Sequence, residues 1–152
     1  MALGIYIHIP FCVKKCPYCD FTSFTPEALP EDEYVKALIT EMEARKEETE
    51  NSIVETVYFG GGTPSLLSSK SVESILNAIS KNFKIVPPHP APLPQGEREI
   101  TLEANPGTVN LDKLKGFRDA GVNRLSIGIQ SLNDRLLLTL GRIHTRQEAL
   151  NA

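Results

Sequence analysis

Four apolar, largely β-branched runs alternate with helical stripes along this chain, and that alternation limits the folds open to it more than any other feature. The runs are Ile5 to Ile9, Val54 to Phe59, Ile100 to Ala104 and Arg124 to Ile129. Between the first two, Val35, Leu38, Ile39 and Met42 fall at i, i+3, i+4 and i+7, with Glu31 and Asp32 acidic at the N-terminal end. Val72, Ile75, Leu76, Ile79 and Phe83 repeat the stripe, with Ser69 or Ser71 as its cap, and Leu111, Leu114 and Phe117 make a shorter one between Asn110 and Gly121. Strand, helix, strand, helix is the pattern of βα repeats around a parallel sheet, so the expected class is α/β. The nearly continuous apolar character of the first and last runs predicts strands covered on both faces. Thr145-Arg146-Gln147-Glu148 is a capping box that starts one more helix at Ala149 and Leu150. Four strands are fewer than a parallel barrel or open sheet requires. About half of an architecture is therefore expected, as a shortened chain or a short gene product.

The 152 residues suffice for one domain with a sizeable core, and 41% hydrophobic with 23% charged residues is an ordinary globular composition. A net charge of -3 gives no electrostatic reason to expect a nucleic-acid partner. No window is apolar for long enough to be a transmembrane segment, and the N-terminus lacks a signal peptide's basic start and apolar run, so a cytoplasmic chain is expected. Pro87, Pro88, Pro90, Pro92 and Pro94 put five of the eleven prolines within eight positions. Residues 86–98 are read as a proline-rich insertion loop, tolerated between a helix and a strand; docking of an SH3-like partner is the alternative.

Three cysteines, at 12, 16 and 19, are all the chain has. An odd number in one tight group does not make a disulfide framework and points to metal. Cys12-Val13-Lys14-Lys15-Cys16-Pro17-Tyr18-Cys19 is a C-x3-C-x2-C motif. Thiolates are soft ligands suited to iron–sulfur clusters, and three of them leave one iron of a four-iron cluster open to something else. Pro17 prevents a regular helix through the motif. A zinc site completed by a histidine such as His8, or three unrelated buried cysteines, are the other readings. No second cysteine pair exists to make a zinc finger.

Tyr6-Ile7-His8-Ile9-Pro10-Phe11-Cys12 followed by Cys16-Pro17-Tyr18-Cys19-Asp20-Phe21 resembles the opening of the coproporphyrinogen dehydrogenase-like radical S-adenosylmethionine (SAM) proteins. The resemblance continues through Gly60-Gly61-Gly62-Thr63-Pro64-Ser65-Leu66, Glu103-Ala104-Asn105-Pro106-Gly107-Thr108 and Gly121 to Ser131, and ends with Leu140-Gly141-Arg142. It implies that residues 1–152 are the N-terminal part of an incomplete TIM-like radical SAM barrel, about four βα units of it. It further implies a [4Fe–4S] cluster on Cys12, Cys16 and Cys19, whose open iron chelates SAM and whose electron cleaves SAM to a 5′-deoxyadenosyl radical. Gly61, Gly62 and Thr63 then meet the methionine part of SAM, where missing side chains let a ligand approach the backbone. Glu103 faces ribose hydroxyls. Gln130 and Arg142 fall on further SAM-contacting positions, Arg142 as a cation toward the carboxylate. Tyr6 and Tyr18 fall on aromatic positions beside the cluster. The cluster loop, Gly61 to Thr63, Glu103 and Gln130 each lie at or just past the C-terminal end of an expected strand, the edge where parallel α/β sheets bind ligands.

The family has an oxidase branch, which decarboxylates coproporphyrinogen propionates, and a branch of heme chaperones. The oxidase pattern carries a further cysteine two positions after the third, where this chain has Phe21, and an extension before its cluster; both differences favour the heme-chaperone branch. The implied partners are SAM, a heme or porphyrin, and a reducing electron donor. Heme-binding residues are expected beyond the four βα units, with His8, His89 and His144 as weak candidates here. An inactive remnant and a small zinc-binding interaction module remain as readings of other classes.

Overall fold

The computed structural model describes residues 1–49, 52–85 and 99–152. Strands β1 (Ala2–Ile9), β2 (Ile53–Gly61), β3 (Glu99–Ala104) and β4 (Arg124–Ile127) lie side by side in the order β1-β2-β3-β4. Every pairing is parallel, with Ile9 opposite Gly61, Phe59 opposite Leu102 and Ala104 opposite Ile127. Parallel neighbours need a crossover, and helices supply them. Helix α1 (Glu31–Arg45) packs on α2 (Ser69–Asn82), and α2 on α3 (Leu111–Ala120). Two short helices follow, α4 (Asp134–Thr139) and α5 (Arg146–Asn151).

The expected stripes are what the helices bury. Val72, Ile75 and Ile79 from α2 and Phe117 from α3 form one cluster with Ile7, Ile9, Val57, Phe59, Ile100 and Leu102 from the strands. Phe59 and Phe117 are shut off from solvent, and truncating either to alanine would cost about 3–5 kcal/mol. Asn110 caps α3 through Lys113 N–H, Gly121 ends it with φ 114°, and Thr145 and Glu148 form the anticipated capping box on α5.

Four details depart from the sequence reading. The cap of α2 is Ser68, whose hydroxyl accepts Ser71 N–H, one position ahead of the nearer candidate. Gly60 and Gly61 belong to β2 rather than to the loop after it, because both are paired with β1. β4 stops at Ile127 and is exposed throughout, since no strand among the described residues covers its outer edge. Gly128 N–H bonds Ala104 O at 2.9 Å, and the chain then turns out of the sheet. Helix α4 has no counterpart in the sequence reading: its leucines are consecutive and leave no stripe, although Leu137 alone is buried. The proline-rich segment 86–98 lies outside the described residues. Among the described residues, no helix is long and apolar enough to cross a membrane.

Candidate functional site

The loop carrying the cysteines starts where β1 meets Pro10, which lacks the N–H needed to continue a ladder. Its base is closed by two backbone bonds, Cys12 N–H to Phe24 O and Phe24 N–H to Pro10 O, both 2.9 Å. Phe11, buried, meets Phe24 and Tyr34 edge-on at 5.5 and 5.0 Å and pins that base to the core. Within the loop, Cys19 N–H bonds Cys16 O at 3.0 Å, a turn with Pro17 at its second position, the place a fixed proline φ suits best. Lys15 Nζ reaches the carbonyls of Phe21 and Ser23, each at 3.3 Å, and braces the far side. All three cysteines are free and half-buried.

The loop folds back over the C-terminal ends of the strands and encloses a cavity of about 240 Å³. Cys12, Cys16, Cys19, Tyr18, Gly61, Gly62, Thr63, Glu103, Gln130 and Arg142 all line it. Tyr6 alone of the expected residues stands outside that lining. It projects from β1, stacks on Tyr58 with ring centres 6.0 Å apart, and meets His8 Nδ1 at 3.3 Å through its hydroxyl.

Several of the lining groups are held from behind. Gly62 N–H bonds Ile9 O at 2.7 Å, so the backbone after β2 runs hard against the start of the cysteine loop. A methyl group at Gly62 would lie 2.6 Å from Phe11 O and 3.0 Å from Cys12 Sγ. Thr63 Oγ1 is 3.7 Å from that same sulfur. Both oxygens of Glu103 are anchored, one by Tyr58 O–H at 2.7 Å and the other by Gly61 N–H at 3.2 Å. The Glu103 carboxylate and burial together hold the Tyr58 hydroxyl above its usual pKa. Burial, and then Cys16, push the Tyr18 hydroxyl up, while Arg142 opposes them. Arg142 itself bonds Gly128 O at 2.7 Å and approaches Cys16 Sγ at 3.7 Å; its Nε is buried with no partner.

Among the described residues, no group of three or more His, Cys, Asp or Glu side chains is placed to hold a metal ion. His8 is turned instead to Thr22 O at 2.7 Å. The single-zinc reading therefore has no ligand set here. A four-iron cluster asks for something else, one thiolate for each iron it binds, so its ligands need not converge on a point. Three soft thiols around one cavity, a backbone stretch too close for any side chain, and a buried guanidinium nitrogen without a partner suit such a cluster with a charged ligand beside it.

Some participants were given no role by the sequence. Tyr58 is found only by register: it pairs with Tyr6 across β1 and β2 and reaches Glu103 from the neighbouring strand. Ser65, fully buried, ties two loops together by accepting Asn105 N–H at 3.1 Å and meeting Thr108 Oγ1 at 2.5 Å. Asn105, Ser126 and Gly128 complete the wall. His144, one of the heme-ligand candidates, is buried with both ring nitrogens facing oxygens, and His89 lies outside the described residues.

Comparison with known proteins identifies the family. The heme chaperone HemW of Escherichia coli is 42% identical over 151 residues, 99% of this chain but 38% of that protein. The bovine mitochondrial radical S-adenosyl methionine domain-containing protein 1 is 41% identical over 147 residues, covering 97% of this chain and 31% of its own length. The chain thus spans about a third of the length of the relatives it matches. Among solved structures, the E. coli coproporphyrinogen III oxidase HemN, a radical SAM enzyme, superposes with a TM-score of 0.82 at 28% identity, over 95% of this chain and 32% of its own. That superposition identifies the four βα units as the N-terminal part of a TIM-like fold. Residues 6–152 match the sequence pattern of one superfamily throughout, and on that match, with the geometry above, the chain belongs to the radical SAM superfamily.

Proposed function

We propose that Cys12, Cys16 and Cys19 hold a [4Fe–4S] cluster and that Gly61, Gly62, Thr63, Glu103, Gln130, Arg142 and Tyr18 bind SAM beside it. This makes the chain the SAM-binding part of a HemW-like heme chaperone. The observation that carries the reading is the single cavity at the C-terminal strand edge, which these residues line together. When bound, the cluster supplies the electron, and SAM the cleavable bond, of radical SAM chemistry.

The chain's own part is positioning. Gly61 and Gly62 keep the strand end free of side chains, so a ligand's polar atoms can reach backbone N–H and C=O groups directly. Arg142 brings a fixed cation, with Nε still to be satisfied, which suits a carboxylate. Glu103, with each oxygen already holding one donor, keeps lone pairs in a fixed direction for two further hydroxyl donors, the pattern a ribose offers. Tyr18, half exposed on the loop, covers the cavity and limits water. Tyr6 acts from one step away, through Tyr58. Heme, or a porphyrin, and the electron donor are partners of the longer protein. The higher identity to HemW than to HemN, and Phe21 in place of the oxidase's further cysteine, favour heme delivery over coproporphyrinogen oxidation.

The test is anaerobic reconstitution with iron and sulfide, followed by iron counting and EPR with and without SAM. About four irons per chain and a reduced-cluster signal that SAM perturbs are expected. Zinc in place of iron, or an iron signal indifferent to SAM, would reduce the assignment to family descent without a working site.

A further inference from the structure

Gln130 is the only residue other than glycine with a positive φ, 68°, among the described residues. Ser131 N–H bonds Ile129 O at 2.9 Å across it, so Gln130 is the centre of a three-residue turn in its rare, strained form. Such a conformation persists only where surrounding structure imposes it, and strained residues gather at ligand clamps. The Gln130 side chain folds over Gly128, where a methyl group would meet Gln130 Nε2 at 3.3 Å and Arg142 at 3.5 Å. The strained turn therefore sets where Gln130 stands in the cavity.

The tertiary contact on that turn comes from His144. Its Nε2 lies 3.1 Å from the Ile129 carbonyl, the same oxygen that Ser131 engages. A carbonyl only accepts, so this contact is a hydrogen bond when Nε2 carries the proton. On the other side of the ring, Nδ1 lies 3.1 Å from Asn105 Oδ1, also an acceptor, which in turn takes Gly107 N–H at 3.1 Å, so a neutral ring donates to one of the two oxygens. Only 3% of His144 is exposed, and burial, with Arg142 nearby, holds its pKa below the ordinary histidine value. A neutral ring has one proton to give, and the turn and Asn105 compete for it.

We propose that His144 is a positioning residue for SAM: by donating Nε2–H to Ile129 O, it holds Gln130 in the left-handed turn that aims its side chain into the cavity. The inference rests on the SAM-binding reading of that cavity. It gives the histidine two residues past Arg142 a task distinct from metal or heme ligation.

The experiment is a cycle of SAM affinities, by equilibrium dialysis on the reconstituted chain. It compares wild type, His144→Met, His144→Gln, Gln130→Ala and the double variant that combines His144→Met with Gln130→Ala. Methionine and glutamine are close in shape, but only glutamine can donate. His144→Met is expected to weaken SAM binding roughly tenfold, the size of one hydrogen bond of about 1.4 kcal/mol, and His144→Gln to recover most of it. In the Gln130→Ala background, His144→Met is expected to cost nothing more, because its effect passes through Gln130. Equal affinity in wild type and His144→Met, equal loss in the two single His144 variants, or losses that multiply in the double variant would each overturn the proposal. A second readout needs no cluster: ring ¹⁵N shifts of the wild-type chain must place the His144 proton on Nε2, and a proton on Nδ1 alone refutes it. A wild-type chain that holds four irons yet ignores SAM fails at the functional reading itself, before His144 enters.

Discussion

Gly62→Ala puts the tightest point of the site under test. Gly62 does not need a left-handed φ, so alanine meets no backbone penalty there, and elsewhere such a change stabilises by about 0.4–1 kcal/mol through the unfolded chain. The cost is wholly steric. The added methyl would stand 2.6 Å from Phe11 O, about 0.8 Å inside the 3.4 Å where ordinary contact begins, and 3.0 Å from both Cys12 Sγ and Ile9 O. Two of the three neighbours are backbone, which cannot rotate away. Either β2 and the cysteine loop separate, breaking the 2.7 Å Gly62–Ile9 bond, or the loop tilts and carries Cys12 with it. Overpacking of this kind costs about 1–3 kcal/mol. For a chain of this size that is a fall in Tm of roughly 2–12 °C. The control is Gly107→Ala, where the new methyl crowds the Ile143 side chain at 3.2 Å, a group that can turn aside, and meets Asn105 Oδ1 at an ordinary 3.7 Å. Thermal unfolding by circular dichroism, with iron counting after reconstitution, reads both variants. Gly62→Ala is expected to melt lower and hold fewer irons, and Gly107→Ala to stay within about 2 °C of wild type. If Gly62→Ala melts with wild type and keeps its iron, the close approach of β2 to the cysteine loop is not a feature of the folded protein.

Four further predictions address the cysteine loop, the wall behind Glu103 and the cap of α5. Cys16→Ala is expected to drop reconstituted iron from about four per chain to near none, because a three-thiolate cluster has no spare ligand; retained iron would point to another ligand set. Tyr58→Phe removes one of the two bonds fixing Glu103 and is expected to weaken SAM binding roughly tenfold, about 1.5 kcal/mol for a bond to a charged group, without lowering iron content. In the same region, Glu103→Gln should let the Tyr58 hydroxyl titrate closer to 10.0, visible in the alkaline ultraviolet spectrum. Tyr58's raised pKa makes a contribution to stability that is full below the unfolded value and lost as pH rises through the folded one. At α5, hydrogen bonds from the Thr145 backbone and hydroxyl hold Glu148 below 4.5, so the contribution of that cap is present above the ordinary carboxylate value and lost as pH falls through the lowered one; Thr145→Ala is expected to raise the Glu148 pKa in a carbon NMR titration.

The sequence alone determined whatever depends on neighbours along the chain. Helix stripes, Asn110, Gly121 and the Thr145 box follow from local geometry that repeats every few residues, so α1, α2, α3 and α5 were legible. The alternation of runs and stripes fixed a parallel sheet, because only a helix-length crossover joins parallel neighbours. The motifs placed ten of eleven expected residues on one cavity, since all but Arg142 sit at a strand's C-terminal end or on the loop after it and parallel strands bring those ends to one edge. Pairings between distant segments carry no periodic signal, and tertiary structure alone decided them. Register set Tyr6 on Tyr58 and Tyr58 on Glu103, so Tyr6 stands behind the cavity wall rather than in it. Edge position left β4 exposed, though its composition is that of a covered strand. Nothing in the sequence around Gln130 marks it for a positive φ or brings His144, fifteen residues from Ile129, to that carbonyl. A chain's local chemistry chooses its elements and delivers its reactive groups to an edge; the side chains that hold those groups still come from wherever the packing brings them.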